Sequence, residues 1–194
     1  AIPFYRMGAA KLAAAGRKTL RRAPRPAFAA AVYFAIAFVL NHSGKAPAVA
    51  DGKPGWAMAP DGLNMVKVVA DASAGLFQQA YAGVAAFLGL LGGFISGSEA
   101  SSIAMLSKLH FETMAQVFAG TDPERLLRIS LLVAAVSGIG GGLASVISPA
   151  KLQNAAAVID KIGMESQVIR ATVVVAILMV LAAALMTFVF LARM

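Results

Sequence analysis

Leu88–Ser102 reads LGLLGGFISGSEASS. The stretch leaves an uncharged apolar run, passes Gly89, Gly92, Gly93 and Gly97, and arrives at hydroxyls grouped around a single carboxylate, Glu99. A run this apolar ordinarily ends in charged or turn-forming residues. Here it ends in small hydrogen-bonding ones, and a second apolar-rich helical pattern follows. Backbone that irregular is tolerated at membrane depth only where it is buried in protein or lines a cavity. Half-helices that stop near the midplane and offer polar ends to an ion or substrate have this composition. A tight turn between two ordinary helices would carry the same residues, and composition alone does not separate the two.

Outward from that stretch, four windows are free of charge: Arg25 to Lys45, Asp71 to Glu99, Arg128 to Lys151 and Arg170 to Arg193. Each is of the order of the ~20 apolar residues that a span requires. The 194-residue chain is 59% hydrophobic and 13% charged, where soluble domains carry about 25% charged residues. Its mean hydropathy is +0.77. The fold class is therefore an all-α, multi-pass membrane protein, and its expected location is the plasma (inner) membrane.

The net charge of +8 is not a nucleic-acid footprint. Seven of the seventeen basic residues (Arg6, Lys11, Arg17, Lys18, Arg21, Arg22, Arg25) precede Phe28, with no acidic residue among them. A basic block directly before a span is the positive-inside signal, so residues 1–25 read as a basic cytoplasmic segment and 26–194 as the transmembrane region. No aromatic residues interleave the block to stack on bases, so the expected partner is the lipid bilayer rather than nucleic acid. Cysteine is absent, which excludes disulfides and thiolate metal sites. Two separated histidines and no paired carboxylates leave no enzyme constellation, and no cofactor or metal is expected.

In chain order, Pro3–Leu20 is expected to be a helix at the cytoplasmic face, broken before Pro24 and Pro26. Ala27–Leu40 is an apolar helix running into Asn41-His42-Ser43-Gly44. It reads either as a half-helix whose carbonyl end faces a site or as a capped helix meeting water. Lys45–Asp71, with Pro47, Pro54 and Pro60, reads as an extracytoplasmic loop in which Trp56 anchors at the interface. Ser73–Ile95 is a helix whose glycines mostly allow close packing, with Gly93 and Gly97 left to shape a site. Ser98–Phe118 carries Ser98, Ser101, Lys108, Glu112 and Gln116 on one stripe and His110 and Met114 on the other. Lys108 and Glu112 are spaced to pair. Thr121 or Asp122 with Pro123 starts the next helix. Gly140–Gly142 then disfavours helix by about 1 kcal/mol per glycine, which predicts a broken helix facing the Gly97–Ser102 tip. Ala150–Ile169 reads as a surface helix-turn-helix and Ala171–Ala192 as a lipid-facing span.

Charge orients these elements. If Ser73–Phe118 dips into the membrane and returns, Lys151, Lys161 and Arg170 fall on the cytoplasmic side, in agreement with the positive-inside tendency. A re-entrant hairpin is therefore expected.

Three blocks resemble the carboxy-terminal part of the L-lactate permease family: Asn41-His42-Ser43-Gly44, Gly93–Ser102, and Gly140-Gly141-Gly142 followed by Ile147-Ser148-Pro149. Family members move lactate or glycolate together with protons. The resemblance runs from about residue 27 to the end and implies the last third of a longer transporter, with its amino-terminal part as partner. This chain departs from the usual family pattern at Glu99 and Ala100, at Ile103, and at Ser145, where a lysine is common. The site so implied comprises Asn41, Ser43, Gly97, Ser98, Glu99, Ser101, Ser102, Gly141 and Ser148, binding a small monocarboxylate anion. Glu99 and His110 are the proton-coupling candidates. Ser98, Ser101 and Ser102 start a helix, whose N-terminus favours anions. Glu99 opposes an anion while ionised, so it is expected either to take up a proton or to pair with Lys108 or another base. The competing reading is a non-transporting membrane subunit or scaffold that uses its basic amino-terminal segment as a contact surface.

Overall fold

The computed structural model describes residues 8–50, 53–59, 64–159, 161 and 163–194. Helix α1 (Ala9–Arg22) carries the basic block, and α2 (Pro24–His42) follows with proline in its first turn, where a missing N–H costs nothing. The start of the expected first helix, 3–7, lies outside the described residues. Strands β1 (Lys45–Ala50) and β2 (Lys53–Met58) form an antiparallel hairpin with Lys45 opposite Met58. Helix α3 (Met65–Phe77) starts where the Asn64 side chain accepts the Lys67 N–H at 3.1 Å. The stretch read as a loop up to Asp71 thus holds a hairpin and half a helix. Asn64 supplies the cap that the sequence reading passed over.

The expected single helix over Ser73–Ile95 is two elements. After α3 a 3-10 turn (Gln78–Ala80) leads into α4 (Tyr81–Ser96), and Gln78 has φ 48° and ψ −132°. Side-chain pairings along α5 (Glu99–Val117) give the directions. Tyr81 meets His110, and the Gly89 carbonyl meets Ser102, so α4 runs antiparallel to α5. Asn64 and Lys108 both reach the Asn41 carbonyl, and Asp71 accepts from Gln116, so α3 runs parallel to α5. The chain therefore reverses at Gln78.

Helix α6 (Pro123–Val146) opens on Asp122, whose carboxylate accepts the N–H groups of Glu124 and Arg125 at 3.0 and 3.2 Å. It runs unbroken through Gly140–Gly142, which corrects the expectation of a glycine-broken helix. The reason is close packing. A Cβ on Gly89 would overlap the Ser137 carbonyl, one on Gly93 the Gly141 carbonyl, and one on Gly140 the Ala86 carbonyl. The two backbones touch, and the dispersion and shape fit gained there offset the poor helix propensity of glycine. Gly93 accordingly serves this crossing rather than a ligand.

Helix α7 (Pro149–Val158) is short, and α8 (Glu165–Leu191) starts six residues before the span expected at Ala171. A core of Tyr81, Ala82, Ala85, Ala86, Met114, Ile129, Val133, Val136, Val180 and Ala184 lies among α4, α5, α6 and α8. Helix α8 buries only Ala176, Val180, Ala184 and Thr187, one stripe, and exposes Val174, Leu178, Leu181 and Leu185. That distribution suits lipid. Three stretches among the described residues are long and apolar enough to cross a bilayer, 65–96, 123–156 and 165–191, and the first contains the reversal at Gln78. The protein is an all-α membrane protein with one small β-hairpin among the described residues.

Candidate functional site

The tip between α4 and α5 is built by capping chemistry. Gly97 takes φ 65°, closes α4 with its N–H on the Gly93 carbonyl at 2.9 Å, and needs no Cβ to do so. Ser98 then caps α5, its hydroxyl accepting the Ser101 N–H at 3.3 Å. Ser96 braces the turn from the other side, donating to the Ser98 carbonyl at 2.9 Å and accepting the Ser98 N–H at 3.1 Å. Ser101 and Ser102 are buried, and the Ser102 hydroxyl donates to the Gly89 carbonyl at 3.3 Å. Ser102 also lies against Gly141, where an added Cβ would sit 3.3 Å from its side chain.

Glu99 is exposed and reaches over Gly142, whose added Cβ would lie 3.1 Å from a carboxylate oxygen. It takes part in no ion pair among the described residues, and neither does Lys108 with Glu112. The expected Lys108 pairings are replaced by a different bond, described below. Beside the tip, the buried Ser148 caps α7, and a Cβ on Gly97 would be 2.9 Å from its hydroxyl. The N-termini of α5 and α7 therefore meet, each carrying the equivalent of about half a positive charge. Lys151 adds a full one. Its ammonium donates to the Ser145 hydroxyl at 3.1 Å, and that hydroxyl donates to the Gly142 carbonyl at 3.0 Å. The Glu99 carboxylate thus lies against Gly142, the Lys151 ammonium is linked to the Gly142 carbonyl through Ser145, and the two helix starts meet at Gly97 and Ser148. Lys151 and Ser145 were not nominated from sequence, because nothing local announces a contact that folds back six residues across a turn.

The structure brings together Gly97, Ser98, Glu99, Ser101, Ser102, Gly141 and Ser148, and places Asn41 and Ser43 elsewhere. Those two end α2, where the Ser43 hydroxyl donates to the Leu40 carbonyl at 2.7 Å and accepts the Met65 N–H at 2.8 Å. Lys108 donates to the Asn41 carbonyl at 2.9 Å. Lys108 is nine residues beyond Glu99, about 13 Å along the axis of α5. His110 is fully buried, with Nδ1 2.9 Å from the Tyr81 hydroxyl and, among the described residues, no partner for Nε2. It lies about 16 Å along α5 from Glu99.

Comparison with known sequences places this geometry. The family profile described as L-lactate permease matches residues 1–193. The chain belongs to the L-lactate permease family. It is 30% identical over 155 residues to the L-lactate permease of Escherichia coli strain K12, covering 80% of this chain and 23% of that protein. The same figures hold for the L-lactate permease of Escherichia coli O6:H1 strain CFT073. The chain therefore spans about a quarter of the length of these relatives. No solved structure matches.

Proposed function

We propose that this chain forms part of a secondary transporter moving a small 2-hydroxy monocarboxylate, L-lactate or glycolate, together with protons. The observation that carries the reading is the meeting of the α5 and α7 N-termini at Gly97 and Ser148 beside the Lys151 ammonium. A carboxylate fits such a place for two reasons. First-turn N–H groups lie outside the bonding pattern of their own helices, with Ser98 and Ser148 taking those of Ser101 and Lys151, and the helix dipoles favour negative charge. Lys151 supplies a charge-assisted hydrogen bond, about twice as strong as a neutral one. Ser98 and Ser148 cap the two helix starts, and Gly141 and Gly142 let Ser102 and Glu99 lie close over α6. Ser101 and Ser102 fix the first turn of α5 against the glycine faces.

In this reading Glu99 couples the proton. Its carboxylate neighbours the substrate position, so the anion is accommodated when Glu99 is neutral and expelled when it is charged. The buried Tyr81–His110 pair remains the second candidate on the proton path. Asn41 and Ser43 contribute a separate polar group rather than substrate ligands at the tip. The protein lies in the plasma membrane with 1–25 as its basic cytoplasmic segment and 26–194 as the transport region, and the amino-terminal part of the same transporter closes the site.

The test is uptake of labelled L-lactate and glycolate by membrane vesicles containing the full-length protein, with and without an imposed pH gradient. Gradient-driven accumulation is expected, and Lys151→Ala should weaken apparent substrate affinity by roughly tenfold or more, as loss of a charged hydrogen bond implies. No uptake of either acid by well-expressed protein would favour the scaffold reading instead.

A further inference from the structure

Away from the tip, the carbonyl end of α2 meets the start of α3 halfway along α5. The Asn41 carbonyl accepts from two side chains, Lys108 Nζ at 2.9 Å and Asn64 Nδ2 at 3.4 Å, and Asn64 Nδ2 also donates to the Ser43 carbonyl at 3.1 Å. Asn64 is itself buried. Beside them the Asn41 side-chain oxygen is buried and has no hydrogen-bond partner among the described residues. A helix C-terminus presents carbonyl groups that its own helix leaves unsatisfied and carries about half a negative charge. In membrane proteins the carbonyl ends of interrupted helices are where alkali cations are held. Here the main-chain oxygen of Asn41 accepts from an ammonium tethered to α5, while the amide oxygen of the same residue is buried with no hydrogen-bond partner among the described residues.

We propose that Lys108 acts as a built-in cation, its ammonium filling a monovalent alkali-cation position formed by the Asn41 main-chain and side-chain oxygens at the end of α2. The unpartnered Asn41 amide oxygen is the mark of that position. An ammonium on a long stem from α5 satisfies the carbonyl and leaves the second oxygen unfilled, whereas a free ion with its water would engage both. Removing the tether opens the position to Na⁺ or Li⁺. A lysine that merely caps α2 predicts something else: lost stability with no preference for any added cation. The inference does not rest on the transport reading of the tip, since its readout is cation-dependent stability of the folded protein.

The experiment is thermal unfolding of the purified full-length protein in detergent, titrating Na⁺ or Li⁺ against N-methylglucamine at constant ionic strength. Wild type, Lys108→Ala, Lys108→Gln and the double variant Lys108→Ala/Asn41→Leu are compared. The expected result is no specific Na⁺ effect in wild type and a saturable rise in Tm of at least about 2 °C in either single variant. The rise should vanish in the double variant. Folded single variants with no Na⁺-specific shift overturn the proposal, as does an equal shift in wild type or a shift that survives loss of Asn41. If neither single variant accumulates as folded protein, Lys108 is a helix cap that folding requires, and the proposal falls.

Discussion

Glu99 occupies the first turn of α5, where two helix N-termini favour its charge and the proposed substrate opposes it. That conflict is what a coupling group needs, and it makes Glu99→Gln informative. Exchange of lactate across the membrane should survive the change, while pH-driven accumulation should be lost. Intact accumulation at normal expression would remove Glu99 from the coupling step. At this scale the sequence was legible wherever the chemistry is local. Asp122 caps α6 and Ser98 starts α5 as expected, because a cap involves only three or four neighbouring residues, while Gly97 and Ser148, expected as site residues, cap their helices as well. Lys108 was not legible. Its spacing to Glu112 suggested an intrahelical pair worth a few tenths of a kcal/mol, and the ammonium instead reaches the end of α2, 67 residues away in sequence.

Helices α4 and α6 cross with their backbones in contact, so the glycines there carry an energetic role that can be measured. Gly93→Ala forces a methyl into the Gly141 carbonyl and should cost about 1–3 kcal/mol, the usual penalty of overpacking. Gly75→Ala on α3 meets nothing within 4 Å and should be neutral or stabilising by up to about 1 kcal/mol. Equal Tm changes for the two variants would contradict the crossing. Gln78 offers the opposite case. Its φ of 48° is strained for a side chain, so Gln78→Gly should raise Tm by relieving about 1 kcal/mol or more. A lower Tm would show that the turn is held differently. Both misreadings of this region have physical causes. Propensities measured in water count glycine against a helix and cannot register the partner that needs its absent side chain. Glutamine carries no turn signal, and the reversal at Gln78 is imposed by α3 packing along α5.

Across the whole molecule, α4 and α5 leave from and return to the same end, with Ala74 and Val117 lining one cleft. Single cysteines at Ala74 and Thr121 should therefore be labelled from the same side of the membrane by an impermeant reagent, and labelling from opposite sides would exclude the paired-arm topology. The membrane class could be read from the charge-free windows, since lipid imposes that pattern on any spanning chain, whereas α3 and α5 carry charged residues and their place in the order could not. Which helices touch could not be read, because small residues license close approach on every face that carries them. The α4–α6 crossing finally limits how the molecule can move. Two helices meeting carbonyl to Cα have no side-chain layer to shear through, and sliding one past the other would first require prising them apart. The tip, α4 and α6 must travel as a single rigid body. Any reorientation of the tip from one side of the bilayer to the other is then left to the joints at its margins, Gln78 and the segment Ala119–Asp122.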